Sequence, residues 1–259
     1  LFDPFNIFLM ITTAIVVVGI FVFIKKIPFF NKAFHKIIDK LNSYHELIPW
    51  ILRLALGISL IGAGTAGVFI SPTLSDGQVF SFIQIAIGFC FLAGFLIAPA
   101  AIATIGIYVY ALLQEPYLIG NMDVLALSLS VLVFHSARPG IDDILNISLL
   151  KLLKIHRYWL PIIIRLGVGI AFIYLALHEK LLNPGLSNLV VEQYNLTAYV
   201  PVMPAMWVLG AGIIELLLGI LIISGYYTRV VGVVGILVLS LTFFYFEEAV
   251  YSHVTLFSA

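Results

Sequence analysis

The sequence predicts an all-α fold, a polytopic bundle of transmembrane helices. Two observations predict it. Of 259 residues, 62% are hydrophobic and only 10% charged, where soluble domains carry about 25% charged residues; the mean hydropathy is +1.14. Lysines and arginines, moreover, gather in alternate connections between about eight apolar runs, each near the roughly 17–25 residues that a bilayer crossing takes.

The runs lie at 7–24, 48–70, 80–97, 99–119, 122–135, 159–177, 205–224 and 228–246. The fifth is short unless it is extended at one end. The first lacks a basic leader and a small-residue cleavage site, so it reads as an anchor rather than a signal peptide. Lys25, Lys26, Lys32, Lys36 and Lys40 follow the first run; Arg138, Lys151, Lys154 and Arg157 follow the fifth; Arg229 follows the seventh. All share one side if the N-terminus is outside, which places the basic loops in the cytoplasm of a multi-pass cell-membrane protein. The opposite loops hold Asp76, Glu115, Glu179, Glu192, Glu247 and Glu248. The two long basic connectors mix apolar and cationic positions at helical spacing. They suit helices lying in the interface, as plain connectors or as a docking surface for other membrane subunits. Net charge is zero, so nothing draws the chain to nucleic acid, and the single cysteine, Cys90, excludes an intrachain disulfide.

The chain repeats itself. Arg53 and Arg165 each open a span with a glycine four residues on. Gln84 followed by Gly88 and Gly94 matches Glu215 followed by Gly219 and Gly225 at identical spacing. Both units start on the same side, so they are parallel repeats rather than the inverted kind found in many transporters. The expected organisation is an N-terminal helix and basic connector over 1–46, a first four-helix unit over 47–142 and a second over 143–259. The second unit's last helix is incomplete, and a longer polypeptide or a partner helix is expected to fill its place.

Arg165-x-x-x-Gly169, "HEKLLNPG" at 178–185, Glu215-x-x-x-Gly219, Gly225 before Thr228-Arg229, and the later Glu247, Glu248 and His253 resemble the DoxX/DoxD family of small four-helix membrane proteins. The resemblance covers 160 to the end well and 48–142 more weakly. The family includes a membrane subunit of thiosulfate:quinone oxidoreductase, so the resemblance implies quinone as cofactor and oxidation of a small sulfur compound as a candidate reaction. In the first unit Gln84 replaces the motif acid and no "HEK" equivalent occurs, which assigns any active site to the second unit and a structural role to Arg53 and Gln84.

Glu215 is the sharpest candidate. An acid at a helix centre costs roughly 2.5–3.5 kcal/mol on insertion scales, and Glu215 lies on the order of 15 Å into its span at 1.5 Å per residue. Arg165, roughly 9 Å in from the other end of its own span, is an expected partner; the alternative is a neutral Glu215 able to donate a proton to a quinone. A second cluster, at helix ends on the outer face, holds His178, Glu179, Lys180, Glu247, Glu248 and His253. Its spacing carries no metal signature. His135 and His178 sit at opposite membrane depths and cannot share a haem, and no flavin or nucleotide motif occurs. Three function classes stay open: a quinone-linked redox subunit, a non-catalytic accessory subunit of a larger membrane complex, and a small-molecule carrier.

Overall fold

The computed structural model describes residues 45–75, 78–134, 139–147, 157–199, 201–226 and 228–259, preceded by helical positions at Pro4, Ile7, Phe8, Ile11, Thr12, Ile15, Val16 and Gly19. Most of the basic connectors lies outside the described residues, as do Asp76, His35, His135, Arg138, Lys151, Lys154 and His156.

Among the described residues the α-helices longer than one turn are α1 (Ile48–Thr65), α2 (Gln78–Ala93), α3 (Ile97–Gln114), α4 (Met122–Val133), α5 (Leu160–Leu175), α6 (Gly185–Gln193), α7 (Pro204–Ser224), α8 (Thr228–Tyr245) and α9 (Val250–Ser258). Among the described residues six segments are long and apolar enough to cross a bilayer, and Val79–Ala93 is a shorter apolar helix. The protein is thus a polytopic all-α bundle. The short fifth run is completed at its start, where a 3-10 stretch, Pro116–Asn121, leads into α4. The sixth continues past α5 through a π-helical segment, Ala176–Leu182.

One expectation needs correcting. The run 48–70 does not stay helical to its end: α1 stops at Thr65, Gly67 takes φ +69°, and Val68–Phe69 pairs antiparallel with Ser71–Ser75. Gln84, fully buried, makes this hairpin tenable inside the bundle. Its Oε1 accepts from Ile70 N at 2.9 Å and its Nε2 donates to Val68 O at 3.0 Å. Backbone groups leaving a helix in an apolar setting must find partners, and this amide supplies two.

The described chain falls into two compact units, one from Leu1–His45 and Phe172–Ile220, the other from Glu46–Ala171 and Leu221–Ala259. In the larger unit α1 and α2 meet backbone to backbone. A Cβ on Gly57 would lie 3.0 Å from Gly88 O, and one on Gly88 would lie 2.9 Å from Gly57 O. Such small-residue contacts are how membrane helices approach closely. Leu52, Leu56, Leu60, Phe91, Tyr108 and Leu127 fill the core beneath. The Asp142 carboxylate caps α3 by accepting from Leu96 N at 2.9 Å and Ile97 N at 3.0 Å. The short helix α9 lies against α1, where Ser59 Oγ donates to Tyr251 O at 2.8 Å. The smaller unit has its own core of Leu181, Leu209 and Ile213.

Candidate functional site: an ion pair on a π-helical turn

His178, Glu179 and Lys180 sit on the π-helical segment that ends the sixth span. A π-turn holds one residue more than an α-turn and so re-aims the side chains it carries, which is why such turns gather at functional sites. Two side chains hold it from outside: Asn183 Nδ2 donates to His178 O at 3.1 Å and Ser187 Oγ to Glu179 O at 3.1 Å. The His178 ring stacks on Tyr174, with centroids 5.3 Å apart and planes 13° apart.

Lys180 turns toward α7 instead. Its Nζ donates to Glu215 Oε2 at 2.8 Å, and Glu179 Oε2 lies 3.8 Å away. The pair is largely enclosed, with side-chain exposures of 19% for Lys180 and 18% for Glu215. Gly212 makes the approach possible: a Cβ there would sit 2.9 Å from Lys180 Cβ and 3.0 Å from Leu181 Cδ2. Gly212 precedes Glu215 by three residues and shares its helix face, so the missing side chain leaves room for the lysine stem to pass toward the carboxylate.

Within its own unit Glu215 is paired with Lys180. The lysine reaches it because the π-turn delivers its side chain onto the Gly212 face. Arg165 has a different setting: its guanidinium lies over Gly225, where φ is +73° and a Cβ would come within 2.6 Å of Nη1. Arg53 stands in the same relation to Gly94, at φ +67° and 2.5 Å. There the buried guanidinium also donates from Nη2 to Pro139 O at 2.7 Å.

The other half of the expected outer cluster belongs to the larger unit. Glu247 takes φ +52° in the turn before α9. Glu248 Oε2 meets His253 Nε2 at 2.7 Å, and Ser252 Oγ lies 2.8 Å from His253 Nδ1. Burial pushes the His253 imidazole down, but the hydrogen bond and charge of Glu248 outweigh it and hold the group above its ordinary value. Among the described residues no three His, Cys, Asp or Glu side chains come together as a metal site. The residue that sequence reasoning missed is Asp123, 1% exposed in the first turn of α4. Its one signal was an acid standing alone in "NMDVLALSLS".

Several apolar helices long enough to span a bilayer, two of them carrying the enclosed Lys180–Glu215 pair, define a polytopic membrane protein. Residues 160–248, the stretch carrying Arg165, Lys180, Glu215 and Gly225, match the family model DoxX. Over that stretch the chain is similar to the DoxX family. No curated protein and no solved structure matches it.

Proposed function

We propose that this protein is a membrane subunit of quinone-linked redox chemistry, acting in the oxidation of a small sulfur compound, with Lys180 and Glu215 as its polar centre. The observation that carries it is the 2.8 Å Lys180–Glu215 pair, enclosed within two apolar spans. The donor set suits a quinone headgroup. The Lys180 ammonium has hydrogens beyond the one given to Glu215 and can offer one to a headgroup carbonyl, while Glu215 can hold or release a proton beside it. A bound quinone supplies a two-electron, two-proton couple; the residues position it and manage protons. Arg165 lies over Gly225 and fixes the turn through which α7 leads into α8.

The matched Arg53–Gly94 and Arg165–Gly225 contacts support a tandem arrangement of two DoxX-like units over 47–142 and 143–259; the lysines and arginines in alternate loops support an N-terminus outside and basic loops in the cytoplasm. The accessory-subunit reading draws on one observation. α8 leaves Leu237, Leu241 and Phe244 59%, 72% and 76% exposed, a face suited to a neighbouring helix as well as to lipid.

The test is purification from native membranes in mild detergent, with mass spectrometry of bound quinone and partner proteins. Quinone retained by the wild type and lost from Glu215→Gln and Lys180→Met supports the redox subunit. Stoichiometric catalytic partners with no quinone on this chain would replace it with the accessory role.

A further inference from the structure

The larger unit buries a carboxyl group that the ion-pair site does not use. Asp123 is 1% exposed, and neither oxygen completes a hydrogen bond of good geometry among the described residues. The donors beside it are the Thr255 hydroxyl and the backbone N–H groups of Asp123 and Val124. No lysine or arginine of the described residues acts on it, and the one charge that does is that of His253. A carboxylate cannot stay ionised in an apolar interior without a counter-ion; it takes up a proton or a cation.

The groups around Asp123 decide between these. Thr255, 2% exposed, and His253 both come from α9, and His253 is tied to Glu248 at 2.7 Å. Side-chain exposure rises along the series, to 22% at His253 and 34% at Glu248. From α3 the nearby titratable group is Tyr108, whose hydroxyl is committed to Leu118 O at 2.7 Å. From α1 the group that meets α9 is Ser59, whose hydroxyl is given to Tyr251 O. A metal cation would need several oxygen ligands, and the described side chains near Asp123 are one hydroxyl and an imidazole.

We propose that Asp123 is a proton-binding site inside the bundle, loaded from the membrane face at which α8 ends, by way of Glu248 and His253. The net step moves one proton. His253 takes it up at Nε2, which faces Glu248, and gives it up from Nδ1, where the Ser252 hydroxyl lies 2.8 Å away; the imidazolium returns to neutral imidazole as a carboxylate oxygen of Asp123 becomes the O–H of a carboxylic acid, with Thr255 hydrogen-bonded to it. The short helix α9 is what brings imidazole and hydroxyl to an acid that the sequence places about 130 positions earlier. This site is independent of the quinone reading and stands or falls without it.

Infrared spectroscopy of the protein in lipid, with carbon-13 labelled aspartate, tests it. The wild type at mildly acidic pH should show a protonated-carboxyl stretch that shifts with the label, since exposed aspartates are still largely ionised there. Asp123→Asn should abolish it. On transfer to heavy water the band should exchange, and in His253→Phe exchange should slow by about 100-fold or more, the range that a positioned proton-transfer group contributes. Should Asp123→Asn fail to fold, the label shift in the wild type and the exchange rate in His253→Phe still decide the matter. Absence of a label-sensitive band in the wild type overturns the proposal, as does exchange at an unchanged rate in His253→Phe.

Discussion

Lys180→Met removes the cation facing Glu215 while keeping an unbranched stem of similar length. Breaking a fully buried pair from one side costs about 3–5 kcal/mol, and losing an exposed one costs about 0–1. With the partners 19% and 18% exposed, an intermediate cost of about 2–3 kcal/mol is expected. At about 2–4 °C per kcal/mol for a chain of this size, thermal unfolding in detergent should begin roughly 4–12 °C lower. The double variant Lys180→Met with Glu215→Gln should recover part of the loss, because the second change removes the charge that the first left unpaired. A coupling of about 1–2 kcal/mol is the expected size for groups in direct contact. Additive effects, with coupling below about 0.5 kcal/mol, would show that the two side chains do not act as a pair and refute the reasoning from the 2.8 Å contact.

Gly94→Ala and Gly225→Ala should differ in a way that reads out their surroundings. Both force a side chain to positive φ, at about 1–2 kcal/mol, but at Gly94 the new Cβ also meets the backbone at Gly140 Cα, 2.6 Å away. The cost should reach about 3 kcal/mol there and stay near the lower figure at Gly225, where the flexible tip of Arg165 can move; thermal melts of both variants check this. Gln84→Leu should cost about 2–4 kcal/mol by leaving Ile70 N–H and Val68 C=O unpaired, and hydrogen exchange of the Ile70 amide should accelerate with it. The Glu248–His253 pair raises the folded imidazole above its unfolded value of about 6.5. Its stabilisation is therefore full below that pH and is lost as pH rises through the higher folded value. Unfolding midpoints followed from pH 5 to 9 should decline across that window, and Glu248→Gln should flatten the decline.

Spans were the most legible part of this protein, because about 20 consecutive apolar residues leave few alternatives. α7 and α8 begin and end within a residue or so of the runs that predict them. The hairpin at 68–75 was not legible. Val68-Phe69-Ile70 continues the apolar run of α1, and an apolar run of three cannot be told from helix by periodicity. The partner of Glu215 was hidden for another reason. The π-turn, which hydropathy does not register, is what aims Lys180 at Glu215. Asp123 went unnoticed because its meaning rests on Thr255 and His253, which only the folded chain brings near. The arginine–glycine pairs were visible as spacing, and the structure adds that each glycine sits at positive φ beneath its arginine.

The π-helical segment also bears on how this protein can be edited. One residue inside Ala176–Leu182 is surplus to an α-helical count. Deleting it would let the segment relax to ordinary pitch and swing every side chain beyond by about 100°. Lys180 would then leave the Gly212 face, although the lysine itself is kept. A single codon thus sets where the lysine points, and a one-residue deletion rather than a substitution is the edit that would redirect it.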